Sequence, residues 1–483
     1  EKEIKVNLVE ILGEKVDKIF DEEIVKKLKK DLKDKSLTLE SVEVKKKSQR
    51  PPLVFKTSTL QQLASSYLGY GATKTMRIAQ QLYEGLSIDG ENRGLITYMR
   101  TDSVRISPDF QAQTREYIIN NFGKEFVPES ANEFKKSNNA QDAHEAIRPI
   151  SLDITPQQIK DKVDPYVYRL YKLIYERYMA SQMSNAEYDT LTVHIDAKKE
   201  DCNVGFVVKG KTIRFAGYTK IYEITNDTES DEVLADQGVN FEEGEKLGYV
   251  DIEKEQKFTK PPKRYTDASL VKALEENGIG RPSTYASIIS VLILRGYISR
   301  EKRLIYPTIL GRATTKYLEG AFVDLMDLKF TAHFEVLLDK IAFGEKGWVE
   351  VINEYYQNMT KTIENALQNM PKKVSTVEVS DVLCDLCGAN MVIRTGRFGK
   401  FLACPNYPNC KNTKPILEEV GKCPKCGGKI LKRKSKAGKT FYICENNSQS
   451  TNVCDVITWE VPADHLCPQC GKVMSSIKRD GQV

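Results

Sequence analysis

Hydrophobic and polar positions change period several times along this chain, and each change marks a predicted element. In the first 47 residues Ile4, Val6 and Leu8 alternate with polar neighbours, as do Leu37, Leu39, Val42 and Val44. Period two predicts strands, here flanking a charged helix over residues 14–33. After Pro51 and Pro52 the period lengthens. Thr57 or Ser58 can cap a helix carrying Leu60, Leu63 and Tyr67, and GATKTMRIAQQLYEG predicts a second helix ended by Gly85. Residues 107–184 read as largely helical, with breaks at Pro128, Pro149 and Pro156. Alternation returns from Tyr188 to Ile252 in YDTLTVHI, GFVVKG, KTIRFAGY and LGYVDI. These strands are expected to pair with the N-terminal ones, so the helical block between them becomes an insertion in a β domain.

Beyond Lys260 the pattern is helical until about Leu367. Within YTDASLVKALEENGIGRPSTYASIISVLILRGYISREKRLIYPT, Leu270, Ala273 and Leu274 make one apolar helix face that stops at Gly278 and Gly280. Ser283 is the expected cap of the next helix, with Ile288, Ile289 and Leu292 buried. GYIS and RLIYPT then predict a two-stranded ribbon turning at Arg300, Glu301, Lys302 and Arg303. Helix, tight turn, helix and ribbon is a winged-helix pattern, used by nucleic-acid binders and by protein-contact modules. Pro371 and two lysines mark a linker to the last segment.

At 483 residues the chain should hold several domains. No apolar run approaches 18 residues, so no transmembrane helix is expected. Nor does the start read as a signal segment, so we expect a soluble, cytoplasmic protein. The net charge of +5 is unevenly placed. From Lys372 to Val483 there are 18 Lys and Arg against 10 Asp and Glu, leaving the preceding body slightly acidic. A basic tail on a near-neutral body suits a polyanion partner, although a merely solvated tail has the same composition.

Ten of the eleven cysteines fall after residue 383. They run Cys384-x2-Cys387 with Cys404-x5-Cys410, Cys423-x2-Cys426 with Cys444-x9-Cys454, and finally Cys467-x2-Cys470. In a reducing compartment this pairing predicts Zn²⁺ rather than disulfides. Each CxxC followed by glycine makes a knuckle whose thiolates share one side of a tetrahedron, which a second pair completes. Two complete sites and one half site follow. Cys202 stands alone in a strand and is expected to be a small buried hydrophobe.

One stretch poses a chemical question. GLITYMRTDS places Arg100 two residues from Tyr98, with hydroxyls at Thr97, Thr101 and Ser103. On an extended segment Tyr98 and Arg100 would share one face. Phenolate leaves more readily than an alkoxide, which suits a reversible ester, and a guanidinium can hold two phosphate oxygens in a fork. A strand with alternating polar side chains would look the same.

GLITYMRTDS, QDAHEAIRP (141–149), PPKRYTDASLVKALEENGIGRPSTYASII (261–289), FTAHFEVLLDKIA (330–342) and RTGRFGKFLACPNYPNC (394–410) together resemble the bacterial type IA DNA topoisomerase I family over essentially the whole chain. The resemblance implies a multidomain α+β fold, a toroidal core with a β arch and winged-helix-like helical domains, followed by zinc ribbons. It implies an ATP-independent isomerase that cuts one strand of negatively supercoiled DNA through a 5′-phosphotyrosyl link, passes another strand and reseals. Tyr98 would be the nucleophile and Arg100 the phosphate contact, while His144, Arg148, Arg281, Ser283 and Thr284 lie in the corresponding phosphate-binding stretches. The implied domains are a β arch (1–57 and 186–257), a tyrosine-bearing helical domain (58–185), a last core domain (258–370), ribbons at 384–410 and 423–454, and a partial one at 467–483. In the first ribbon Arg394, Arg397 and Lys400 interleave with Phe398, Phe401 and Tyr407, a pattern that tracks a backbone while rings stack on unpaired bases. Phe401 is equally suited to the ribbon's own core.

The family binds Mg²⁺ through a Glu and an Asp-x-Asp pair in an N-terminal acidic domain. No Asp-x-Asp occurs in this sequence, which begins at Glu1. We therefore expect that domain to precede Glu1 in a longer parent, and the 483-residue chain to be inactive without it. A reverse gyrase or topoisomerase III relative, or a non-enzymatic zinc-ribbon DNA binder on the same scaffold, are the competing readings. Expected partners are single-stranded and negatively supercoiled DNA and, through the basic tail, RNA polymerase. We expect a nucleoid-associated monomer with no membrane contact.

Overall fold

A computed structural model describes residues 3–33, 37–132, 144–199, 202–223, 241–369, 378–396, 399–416, 418–434, 440–448 and 454–475. Arg397, Phe398 and the side chains of Cys202 and Lys400 lie outside the described residues. The chain forms two compact units, Glu1–Pro307 with Phe322–Ala366, and Thr308–Ala321 with Leu367–Val483.

In the first unit β1 (Asn7–Ile11), β2 (Glu14–Lys15), β3 (Leu37–Gln49), β4 (Ala186–Lys199), β5 (Cys202–Phe215) and β6 (Lys246–Leu247) build an antiparallel sheet in the order β2-β1-β5-β4-β3-β6. The long ladder joins Thr38–Gln49 to Asp196–Ala186. GFVVKG and KTIRFAGY, read separately as strands, are one continuous strand: Gly210 stays in the ladder opposite Leu191 instead of turning. Of LGYVDI only Leu247 enters the sheet, together with the preceding Lys246. The helix expected over 14–33 is shorter, α1 (Glu22–Leu32), capped by the Asp21 carboxylate, which accepts from the Glu23 N–H at 2.8 Å. Buried side chains gather at one end of the sheet, where Leu39, Val193, Ile195 and Val208 pack together and Leu32 of α1 meets Ala197 and Val204.

The segment between β3 and β4 carries α2 (Thr57–Leu63), α3 (Ala72–Glu84), α4 (Pro108–Phe122) and α5 (Pro165–Ser181). Proline opens α4 and α5, where its missing N–H costs no hydrogen bond. Gly85 ends α3 at φ +117°, a conformation that a side chain would strain. Thr57 opens α2 rather than capping it; the preceding Lys56 N–H donates to the Thr59 hydroxyl at 3.1 Å. This unit's largest core is built around α5, whose Leu170, Tyr171, Ile174 and Tyr178 are fully enclosed with Leu60, Leu82, Leu95, Met99 and Ile118. Truncating Leu170 or Ile174 to alanine would cost about 2–5 kcal/mol in cavity and transfer terms.

Further along, α6 (Asp267–Glu276), α7 (Tyr285–Leu294) and the hairpin β7 (Ile298–Glu301) with β8 (Leu304–Pro307) form the helix–turn–helix–ribbon module. Val271, Tyr285 and Ile289 bury against Ala72 of α3. The cap of α7 is one residue later than expected. Thr284 occupies it, its hydroxyl accepting from the Arg281 N–H at 2.8 Å, and Ser283 is exposed. The buried face shifts accordingly to Tyr285 and Ile289, with Ile288 and Leu292 half-buried. The longer helices that follow are α8 (Ile309–Ala321), α9 (Leu328–Ala342) and α10 (Trp348–Asn369).

The second unit holds three small antiparallel sheets: β9 (Glu378–Leu383), β10 (Asn390–Gly396), β11 (Gly399–Ala403) and β12 (Thr413–Pro415); β13 (Glu418–Lys422), β14 (Lys429–Lys434), β15 (Thr440–Cys444) and β16 (Ile457–Thr458); and the pair β17 (Pro462–Leu466) and β18 (Val473–Ser475).

Candidate active site and metal centres

The segment carrying Tyr98 is not a strand. Ile96 makes a single bridge to Pro149, and residues 97–100 bend. Local alternation is overridden because Leu95, Ile96 and Met99 are all buried, a spacing no flat strand satisfies. Tyr98 is half-buried and Arg100 exposed.

The neighbouring hydroxyls fasten backbone. The Thr97 hydroxyl donates to the Ala146 carbonyl at 2.6 Å and accepts from the Arg148 N–H at 3.0 Å. On the other side the Thr57 hydroxyl lies 2.7 Å from the Met99 carbonyl and accepts from the Thr101 N–H at 2.8 Å, while the Thr57 N–H donates to the Thr101 carbonyl at 2.9 Å. Thr101 then accepts from Ser103 N–H, and Ser103 from Arg105 N–H. Thr57, Thr101 and Ser103 are all buried, so each unmade bond here would carry a desolvation penalty of about 1–3 kcal/mol. The loop is held at both ends.

The Tyr98 ring sits between two others, tilted against His144 at 4.8 Å and edge-on to Tyr83 at 5.3 Å. Such pairs contribute about 0.5–1.5 kcal/mol each beyond area burial. Other buried tyrosines have their phenols tied: Tyr171 to the Ile154 carbonyl at 2.6 Å, Tyr175 to Leu152 at 2.9 Å, Tyr178 to the Thr114 hydroxyl at 2.7 Å and Tyr222 to Arg177 at 2.9 Å. Burial pushes all four phenols upward. Among the described residues the Tyr98 hydroxyl has no hydrogen-bond partner.

Arg148 is buried beside this loop with its guanidinium fully engaged. Nε and one terminal nitrogen donate to Glu145 at 2.8 and 2.6 Å, the other terminal nitrogen donates to the Pro149 carbonyl at 2.9 Å, and the plane stacks on Phe110 at 3.8 Å. Arg281 is likewise held by protein, donating to Asp339 at 2.6 Å with Glu335 at 3.6 Å. Glu335 also accepts from the Gly280 N–H at 3.0 Å, so α9 fixes the turn before α7. Ser283 and Thr284 are exposed at that turn. Burial, then the charges of Glu275 and Asp102, push the Tyr285 phenol up to about 12 against the pull of Arg281.

In the second unit the four sulfurs of Cys384, Cys387, Cys404 and Cys410, and those of Cys423, Cys426, Cys444 and Cys454, lie within 4.8 Å of one another. Cys384 to Cys410 is 3.7 Å, Cys387 to Cys404 3.3 Å, Cys423 to Cys454 3.6 Å and Cys426 to Cys444 3.4 Å. A disulfide would be about 2.05 Å. Sulfurs bound tetrahedrally at about 2.3 Å stand about 3.8 Å apart, so both clusters fit zinc. An Asn412 amide bond holds the Cys384 thiol down to about 6 and the Gly428 N–H does the same for Cys426, whereas burial pushes the facing thiols of Cys404 and Cys444 up. All three knuckles close alike: Gly388, Gly427 and Gly471 take positive φ and donate to the carbonyls of Cys384, Cys423 and Cys467. Cys467 and Cys470 thus form a shaped half site.

The first ribbon's core is Met391 and Leu402 with its cysteines. Phe401 lies opposite Arg394 in the ladder, one residue from the buried Leu402. The second ribbon offers a platform that the spacing of its residues does not announce: Trp459, 65% exposed, stands 6.1 Å from Phe441, which pairs with Arg433. Several tail lysines are paired within their ribbons, Lys414 with Asp385, Lys425 with Asp455, Lys429 with Glu419 and Lys432 with Glu418. These pairs take up single lysines and leave the tail's excess of positive charge unchanged.

The family model for DNA topoisomerase matches residues 3–353, and that for the topoisomerase DNA binding C4 zinc finger matches 381–419 and 420–447. The chain belongs to the bacterial DNA topoisomerase family. Its fold is the type IA topoisomerase fold with C-terminal zinc ribbons: it is similar to full-length topoisomerase I from Thermotoga maritima at 34% identity, with a TM-score of 0.68 over 89% of this chain. The chain spans 66% of that protein's length. The second zinc-finger match stops at 447, yet the geometry brings Cys454 into the same cluster. Motif reading named Tyr98 in one stretch and His144 and Arg148 in another, and the fold brings the two stretches together. It missed Thr57, Tyr83, Asp339 and Trp459, whose roles depend on contacts distant in sequence.

Proposed function

We propose that this chain supplies the strand-cleaving and strand-passing part of an ATP-independent type IA topoisomerase that relaxes negatively supercoiled DNA. The observation that carries this reading is the Tyr98 hydroxyl, without a hydrogen-bond partner among the described residues, on a loop fastened at both ends, with Arg100 exposed two residues on. Tyr98 Oη attacks a backbone phosphorus, the P–O3′ bond breaks, and the departing 3′ oxygen takes the proton, leaving a 5′-phosphotyrosyl link. The reverse attack by the 3′ hydroxyl expels the phenol and reseals the strand. Because the ester energy is retained, no ATP is consumed. Arg100 forks the phosphate oxygens as charge builds on them.

His144 braces the Tyr98 ring and faces the same phosphate. Arg281, Ser283 and Thr284 receive the flanking backbone, Arg281 exchanging Asp339 and Glu335 for phosphate as DNA enters. Arg148 acts behind them by anchoring the loop through Glu145. In the ribbons, zinc holds the knuckles together while Arg394 with Phe401, joined by Arg397, Phe398 and Lys400, engages single-stranded DNA. Mg²⁺ does not fit the residues present: among those described, only cysteines cluster at metal-binding distance, and no Asp-x-Asp occurs. We place its carboxylates in a domain outside residues 1–483. The test of the nucleophile is Tyr98→Phe in the full-length protein, incubated with a labelled single-stranded oligonucleotide and run on a denaturing gel. Covalent adducts should vanish while DNA binding persists; adducts that survive would remove Tyr98 from the role.

A further inference from the structure

The first turn of α2 touches two things at once. Inward, Thr57 holds the backbone of Met99 and Thr101, the residues on either side of Arg100. Outward, Glu275 near the end of α6 takes two partners from the same turn, Lys56 Nζ at 2.5 Å and the Ser58 hydroxyl at 2.8 Å, and one from the next, the Gln62 amide at 3.3 Å. Thr57 is fully buried, while Lys56 and Glu275 keep about a quarter of their side chains exposed, 28% and 27%. Threonine is a poor choice for an ordinary helix start here, since Lys56 occupies the cap position and Thr59 serves it. Its hydroxyl is used wholly on the nucleophile loop.

We propose that Thr57 is a positioning residue for the Tyr98–Arg100 segment and that Glu275 sets where it stands, so that the winged-helix module governs the alignment of the nucleophile. Glu275 grips residues on both sides of Thr57, and the Thr57 N–H and hydroxyl together fix the carbonyls of Met99 and Thr101. A shift of α6 relative to α2 therefore moves the Arg100 backbone and, through Met99, Tyr98. When Glu275 is engaged the loop is in its reactive register; when α6 withdraws, the clamp loses its outer anchor and cleavage slows. The DNA-contacting turn at Arg281–Thr284 follows α6 directly, so bound backbone and nucleophile alignment are joined through one short helix. This rests on the assignment of Tyr98 as nucleophile.

The experiment compares Thr57→Val, Thr57→Ser, Glu275→Gln and the double variant Thr57→Val with Glu275→Gln, all in the full-length protein, with Tyr98→Phe alongside. Adduct formation is timed on a labelled single-stranded oligonucleotide, affinity is measured separately, and melting is recorded for each variant. Misplacing a reacting group by about 1 Å costs roughly a hundredfold, so Thr57→Val should slow adduct formation by that order while affinity stays unchanged and Thr57→Ser recovers most of the rate. Glu275→Gln, which keeps its shape, should slow it by roughly tenfold, and the double variant should be no slower than Thr57→Val because both act through one contact. Adduct formation at the normal rate in Thr57→Val, or a loss that merely follows weaker DNA binding, overturns the proposal. If Thr57→Val does not fold, Glu275→Gln decides: an unchanged rate there overturns it equally. Adducts persisting in Tyr98→Phe would sink the nucleophile itself, whereas their loss there with a normal rate in Thr57→Val sinks only the clamp.

Discussion

Replacing Arg148 by methionine separates a residue that holds the site from one that holds DNA. Its guanidinium is enclosed, with side chains of Arg148 and Glu145 only 10% and 19% exposed, and each of its three nitrogens donates to protein. Methionine fills similar volume and keeps contact with Phe110, so the principal loss is the charge pair. Breaking one partner of a buried pair costs about 3–5 kcal/mol, and because Glu145 keeps some water the low end applies, about 3 kcal/mol. The strain falls on the 144–150 segment, to which the Tyr98 loop is fastened through Thr97. Hydrogen exchange reads this locally: amides of Thr97, Ala146 and Ile147 should exchange about a hundredfold faster, since 1.36 kcal/mol is a factor of ten. Adding Glu145→Leu should recover most of the protection, because removing both partners leaves no orphaned charge. The salt dependence of DNA binding should be unaltered. Unchanged exchange together with a salt slope lowered by about one unit would refute this account and make Arg148 a direct phosphate contact.

The 483-residue chain should bind two zinc ions, released by a chelator with collapse of the two ribbons; a metal analysis giving one or three would contradict the geometry of the cysteine clusters. Trp459→Ala should weaken binding to a single-stranded oligonucleotide by about 1–3 kcal/mol and leave duplex binding nearly unchanged, measured by anisotropy; equal losses on both would deny stacking. Deleting 372–483 should remove much of the salt dependence of binding, and a retained slope would place the phosphate contacts in the first unit. The chain by itself should bind DNA but not relax a negatively supercoiled plasmid in the presence of magnesium; relaxation would show that carboxylates within residues 1–483 hold the metal.

What the sequence determined by itself was local or periodic. CxxC–Gly knuckles announce their own backbone, because two thiolates two residues apart and a glycine in the left-handed region suffice to shape half a tetrahedron. Helices with a clear period and a glycine stop, such as α3 before Gly85, were legible for the same reason. Tyr98 and Arg100 could be named from a motif, but the shape of their segment could not. Read locally the run alternates like a strand, and it bends because Leu95, Ile96 and Met99 are drawn into a core whose other walls are α2, α3 and α5. The hydroxyls beside Tyr98 were visible in the sequence, but not the partners across the fold, Ala146, Thr57 and Met99, through which this segment's backbone is fastened. Arg148 and Arg281 could be named from motifs as phosphate-binding candidates, but not the acids that meet them in space, Glu145 and Asp339. Sequence spacing encodes what neighbours do to one another. Which buried donor finds which acceptor is settled by the whole packed chain, because a buried polar group must be paired wherever in the sequence its partner lies.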